Sequence, residues 1–297
     1  MAFDITDIAG YVDENSFDLI SKTILNTDLA SYANVRVGLK GDTVKIPLLA
    51  GDFVTADGTA CGFDGTGNDV AITQVSMDLA NRKYNSSYCP QVLRDTFLSQ
   101  SLAAGAMQEN VSFAELMADY FVKQLTKYNE TFLIQGEGAI EGLGDQVTSA
   151  NGANLQAGTI AAWDTDNAIA QAQALALAIP DAVADRDDLI MVVSPAALRA
   201  LRLAITQANY YHIAPGEDVM VPGTSVKVVA AQGCSGVTYG DFKMAGPAEY
   251  IIMGTDLTSD FEQFKLFYAE AEDEIRSIMR WRVGVTVTET NMFAANV

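Results

Sequence analysis

Basic residues are scarce in this 297-residue chain. Its 18 lysines and arginines stand against 38 aspartates and glutamates, a formal net charge of -20. Free nucleic-acid binders draw most of their affinity from neutralising phosphates, so this balance argues against a nucleic-acid reader. Histidine is scarcer still: His212 stands alone, and one imidazole without convergent partners in the sequence supports neither a triad nor a metal site. The three cysteines, Cys61, Cys89 and Cys234, are far apart with no CxxC between them. That spacing excludes a disulfide frame or a zinc site and marks reduced thiols. No apolar run reaches the roughly 18 residues a membrane helix needs. Ala168 to Ile179 comes nearest and is broken by Gln171 and Gln173. Met1 to Gly10 holds Asp4 and Asp7 and no cation, unlike a secretory signal.

Signatures of catalysis are missing as well. Gly233-Cys234-Ser235-Gly236 fails as a nucleophile elbow because Val237 follows. Gly136-Glu137-Gly138 lacks the last glycine of a dinucleotide fingerprint, Glu141 holding its place, and it follows a helix where that motif needs a strand. No Walker lysine pattern exists. Asp57, Asp64 and Asp69 share a glycine-rich loop without EF-hand spacing, so a solvated loop is expected there. No catalytic, cofactor-binding or metal-ligating residue is assigned. The one enzymatic alternative is an α/β hydrolase using Ser235 or Ser194 with His212.

What the chain does have is hydrophobic supply and pattern. Hydrophobic residues make up 49% of it, enough for a substantial core, and its length gives a prior of about two domains. Phe17, Ile20, Ile24 and Leu25 predict an amphipathic helix in an N-terminal arm. Thr43 to Leu49 and Val70 to Leu79 read as strands flanking a Gly/Asp-rich loop. Such a two-stranded hairpin has too few apolar residues to stand alone, so it should lie on something, a neighbouring subunit above all. Ser112 to Glu115 matches a capping box. Phe113, Leu116, Met117, Tyr120, Phe121, Leu125, Tyr128 and Phe132 follow at helical steps, ending before Gly136. The Gly-punctuated stretch 136–158 reads as too polar and flexible to be core. Beyond it come a helix over Asp164 to Ile179, strands at Leu189 to Val193 and Ser225 to Ala230, and a helix at Pro195 to Ala208. That is an α/β pattern.

The last quarter is the most informative. Phe264 to Thr290 reads as one very long strand. Ile275, Ser277, Met279, Trp281, Val283, Val285 and Val287 fall on one side of it, and Arg276, Arg280 and Arg282 on the other. Strands in ordinary domains run about 5–6 residues, so a longer one suits a building block that reaches a neighbour. Glu270, Glu272, Asp273 and Glu274 abut the arginines. Arg276, Arg280, Arg282, Glu270, Glu272 and Asp273 are therefore the candidate subunit-interface residues, with ion pairing inside the chain an equal alternative. Exposed pairs are worth about 0–1 kcal/mol each, so an assembly role needs many copies.

This order of parts resembles the tailed-bacteriophage major capsid proteins of the Hong Kong 97 fold. Val192-Val193-Ser194-Pro195, followed by Leu198, Arg199, Leu201 and Arg202, is similar to that family's axial-domain strand and helix. Tyr239-Gly240-Asp241-Phe242 resembles its Gly-Asp-Phe step. Asp260-Phe261-Glu262-Gln263-Phe264, leading to the arginine strand and Val283-Gly284-Val285, resembles its closing segment. The resemblance implies an α+β, Hong Kong 97-like capsid fold. Its parts would be an N-arm (1–34), an extended E-loop (35–80), a peripheral domain with a long spine helix (81–163), an axial α/β domain (164–246) and return strands of the peripheral domain (247–297). It further implies self-assembly into hexamers and pentamers of an icosahedral head around double-stranded DNA, held without sequence-specific contacts. Portal and scaffold or cement proteins would be its other partners, with no membrane. The location would be the virion, after assembly in the host cytoplasm. The acidic balance suits a wall that packed DNA slides past. The alternative within the same fold is an encapsulin-type nanocompartment shell.

Overall fold

The computed structural model describes residues 27–50, 71–89, 111–138, 140–148, 154–156, 162–208, 218–236, 240–256, 263–272 and 274–296. The expected arm helix, the Gly/Asp-rich loop with Asp57, Asp64 and Asp69, and Cys61, His212, Tyr239 and Asp273 lie outside the described residues.

After a 3-10 turn at Leu29–Ser31, the described residues form strands β1 (Asn34–Val37), β2 (Thr43–Ala50), β3 (Ala71–Asp78) and β4 (Ala80–Tyr88), then helices α1 (Val111–Gln135) and α2 (Leu143–Thr148). β5 (Asn154–Gln156), α3 (Ala168–Leu177), β6 (Leu189–Val193), α4 (Pro195–Gln207), β7 (Val219–Met220) and β8 (Lys227–Ala230) come next. Short strands β9 (Ser235–Gly236) and β10 (Gly240–Asp241) lead into β11 (Lys243–Pro247) and β12 (Ile251–Thr255). β13 (Gln263–Ala269), β14 (Glu274–Val287) and β15 (Ala294–Asn296) close the fold.

β14 organises the first sheet. Along one edge it pairs antiparallel with β4, Ala80 opposite Val283 through Tyr88 opposite Ile275. Along the other it pairs with β13 over its first half and β12 over its second, and β1 adds to β12 in parallel. The alternation is as read: Ile275, Ser277, Met279, Trp281, Val283, Val285 and Val287 are all buried. The single strand expected over 264–290 is instead a hairpin, because 270–272 form a turn. Acidic residues and alanines there offer neither the β-branched nor the aromatic side chains that hold a strand.

α1 lies on the apolar face of this sheet. Phe121, Leu125 and Phe132 are buried with Phe264, Met279, Trp281 and Val283. Asn129, fully buried on the same stripe, accepts a 2.8 Å hydrogen bond from the Trp281 indole nitrogen. At a rise of 1.5 Å per residue, the 25 residues of α1 span roughly 37 Å. Ser112 falls inside the helix and not at its cap. Gly136, at φ +68°, ends it where a Cβ would stand 2.3 Å from the Ile140 carbonyl oxygen. The next segment departs from expectation: α2 puts Leu143 and Val147 in the core at 0% exposure. Two apolar residues four apart form one buried turn, too short a stretch for periodicity to reveal.

The second sheet has six strands in the order β5-β15-β11-β6-β8-β7. β6 is buried on both sides, as its unbroken Leu-Ile-Met-Val-Val sequence requires. Leu189, Met191 and Val193 pack with α3 and α4, while Ile190 and Val192 join the cluster that includes α1. α4 starts as read, with Pro195 in its first turn and the Ser194 hydroxyl accepting from the Ala197 amide at 3.2 Å. α3 is shorter than expected because Asp164 and Asn167 close a turn before it, the Asp164 carboxylate accepting from the Asn167 amide at 2.8 Å.

β2 and β3 form a separate antiparallel hairpin, Thr43 opposite Asp78 through Ala50 opposite Ala71. Among the residues whose burial is described, only those at its root are buried. Ile46, Met77 and Leu79 cluster with Ile252 of β12 on the sheet face that α1 leaves open. The root crosses the sheet at two glycines that are register partners, Gly254 and Gly284. A Cβ on Gly284 would stand 2.3 Å from the Asp78 carbonyl oxygen, and one on Gly254 2.2 Å from Met77. Beyond the root, Ile72, Thr73 and Gln74 are exposed. We expect Gly284→Ala to cost about 1–3 kcal/mol by overpacking against backbone that cannot retreat. Urea denaturation checks this: an unchanged midpoint would mean that the root does not bear on the strand.

Candidate subunit interface

The open sheet face has two halves. Over the second half of β14 lies the hairpin root; over the first half lies nothing among the described residues. The register sets the side chains of that bare half. Arg276, Ile278, Arg280 and Arg282 of β14 stand across from Ser87, Asn85, Lys83 and Asn81 of β4. On the other edge Phe267 and Lys265 of β13 stand across from Arg276 and Ile278. An acidic chain thus gathers five cations on one face, with Phe267 41% exposed among them. Two shallow hollows mark it. One, of about 230 Å³, is bordered by Asn81, Lys83, Arg280 and Arg282. The other, of about 300 Å³, is bordered by Asn85, Ser87, Phe267, Arg276 and Ile278.

The six sequence-selected residues fare differently. Arg276 pairs within its own chain, with Glu272 and, at 3.6 Å, with Glu274. Arg282 is mostly buried. Its Nε donates to Asn81 at 2.5 Å, and its terminal nitrogens lie 3.7 Å from Asp42 and 3.8 Å from Asp256. Asp256 is 1% exposed and its Oδ1 has no partner among the described residues. Arg282 therefore ties the hairpin root, β4 and the end of β12 to β14. Arg280 is exposed and pairs with no carboxylate among the described residues; Glu270 is exposed in the turn. Sequence reasoning missed Lys83 and Lys265, whose strands bring them beside Arg280. It also missed Asp42 and Asp256, which lie far from Arg282 along the chain.

The residues of the hydrolase alternative are committed elsewhere. Ser194 is 1% exposed, caps α4 and donates to Asp241 at 2.5 Å. Asp241 also holds the fully buried Lys243 at 2.8 Å, which gives the Gly240-Asp241-Phe242 step a structural reason. The exposed Ser235 donates to the Gln232 carbonyl at 2.9 Å. Cys89 and Cys234 are free thiols, and burial pushes the Cys234 thiol far above its ordinary range. Glu130 on α1 is also buried and its pKa is raised by desolvation, although one oxygen accepts from the Gln232 amide at 3.1 Å. Arg186 clamps Asp188 with two hydrogen bonds of 2.7 and 3.0 Å and reaches Glu249; the first contact holds the Asp188 carboxyl below its usual range. Among the described residues no cluster of His, Cys, Asp and Glu could hold a metal ion, and no helix is long and apolar enough to cross a membrane.

Solved structures share this arrangement. A chain from the capsid of an empty GTA particle aligns at a TM-score of 0.59 with 14% identity, covering 90% of this chain and 94% of its own. A chain of the satellite phage P4 procapsid including its size determination (Sid) protein aligns at 0.59 with 11% identity, over 94% and 89%. A chain from Gordonia phage Cozz does so at 0.59 with 11% identity, over 91% and 85%. The chain has a phage capsid fold. No protein-family model and no curated protein matches it, and the structures it resembles indicate no enzyme family.

The contrast between two arginines of one strand can be measured. Arg282→Ala leaves the buried Asp256 carboxylate unneutralised and should cost about 3 kcal/mol in chemical denaturation. Arg280→Ala, on the open face, should stay within about 0.5 kcal/mol of the parent. Equal losses would contradict the division between a held and an open cation.

Proposed function

We propose that this chain is the major capsid protein of a tailed bacteriophage, assembling into hexamers and pentamers of an icosahedral head that encloses double-stranded DNA. The observation that carries the reading is the likeness to capsid chains along nearly the whole length, with a hairpin rooted in the body and exposed beyond its root. In the Hong Kong 97 vocabulary, 1–34 is the N-arm, 35–80 the E-loop and 81–163 the peripheral domain with α1 as spine helix. Residues 164–246 are the axial domain and 247–297 the return to the peripheral domain. β5 and β15 add strands to the six-stranded sheet from outside 164–246, so the two domains share their core. Arg276, Arg280, Arg282, Glu270, Glu272 and Asp273 belong to the contact region between copies. Function is assembly: closed symmetry multiplies modest contacts into a shell. A portal, with scaffold or cement proteins where the head uses them, completes the head, which forms in the host cytoplasm and ends as part of the virion. The acidic balance keeps packed DNA from adhering to the wall.

The nanocompartment alternative is not favoured, since the likenesses above are to GTA and phage structures. Imaging the purified protein, alone and with its scaffold, by electron microscopy tests the proposal. Closed shells or rings of hexamers and pentamers are expected. Persistent monomers at every concentration and salt would overturn it.

A further inference from the structure

Lys83 and Arg280 are direct cross-strand partners on the open sheet face, with Lys265 one residue pair further along. Like charges facing each other across a strand pair destabilise it. All three are exposed, and no carboxylate pairs with them among the described residues. In a chain with twice as many acids as bases, a neutralising neighbour would be easy to place, so leaving this trio open calls for a partner that supplies the negative charge.

The sequence holds such a partner. Between Lys127 and Arg186 there is no lysine or arginine at all, only Glu130, Glu137, Glu141, Asp145, Asp164, Asp166, Asp181 and Asp185. Of these, Glu137, Glu141, Asp164, Asp166, Asp181 and Asp185 are exposed, Glu137 being paired with Arg82 of its own chain at 3.0 Å. One face of the molecule is therefore basic while a long stretch elsewhere presents only carboxylates. Two different surfaces that complement each other make a head-to-tail contact, the kind that closes into rings. We propose that the Lys83–Lys265–Arg280 face docks onto carboxylates of the cation-free stretch 128–185 of a second copy, with Phe267 and Ile278 supplying the apolar part of the contact. This rests on the shell reading above and names the chemistry of one of its contacts. Nucleic acid is the less favoured occupant, because the rest of an acidic chain repels it.

Cross-linking, assembly, stability and amine-labelling measurements on the full-length protein test this. Zero-length carbodiimide coupling of assembled, mixed isotope-labelled copies should join Lys83 or Lys265 of one copy to an acid within 128–185 of another. The double variant Lys83→Thr/Arg280→Thr should need about tenfold more protein, or more, to assemble, and wild-type assembly should weaken between 0.1 and 1 M salt, roughly as a Debye length falling from 10 to 3 Å requires. Its unassembled form should be as stable as wild type or more so, since a repulsion has been removed; a merely structural pair would lose stability instead. Variant shells forming at wild-type concentrations would sink the contact and leave the shell reading intact. So would cross-links confined to carboxylates outside 128–185, or protection of Lys83 and Lys265 from amine labelling only in DNA-filled particles. A wild-type protein that forms no shell at all overturns both.

Discussion

The crossing of the hairpin root over Gly254 and Gly284 is the contact on which the rest of the structure depends. Both strands of the sheet must lack a side chain at the same level for Met77, Asp78 and Leu79 to rest directly on backbone. That seat divides the open face of the sheet. The half under the root becomes a small apolar cluster with Ile46 and Ile252. The other half is uncovered among the described residues and keeps its cations. Because the root is anchored, the outer part of the hairpin is held away from the body with little apolar contact of its own, where an isolated ribbon is marginal in water.

Below the sheet the physics is ordinary core packing with a few placed polar groups. α1 buries its stripe against β14, and the Trp281–Asn129 hydrogen bond satisfies the indole where water cannot reach it. The six-stranded sheet shares one face with that core and gives the other to α3 and α4. Lys243, Asp241 and Ser194 form a buried polar group in which each charge has a partner.

Strong periodicity made part of this legible in the sequence. The odd-numbered run from Ile275 to Val287 and the stripe Phe121, Leu125, Phe132 sit where their spacing put them, and Pro195 after Ser194 opened a helix. β4 was invisible because Asn81, Lys83, Asn85 and Ser87 carry no apolar signal; the sheet recruits it through backbone pairing and not through propensity. α2 and β15 were too short to show a period, although Leu143, Val147, Ala294 and Ala295 are fully buried. The candidate site was half legible. Its arginine stripe was readable, but whether each arginine is held or open depends on Asn81, Asp42 and Asp256, which only the fold brings near. The acidic cluster beside the arginines proved to be the turn that ends β13.

The exposed hairpin is proposed to rest on a sister copy. Hydrogen exchange of the backbone amides of 43–50 and 71–78, compared between unassembled subunits and closed particles, tests this most directly. Rapid exchange beyond the root is expected in the free subunit, and strong protection in the particle. Equal protection in both states would contradict it.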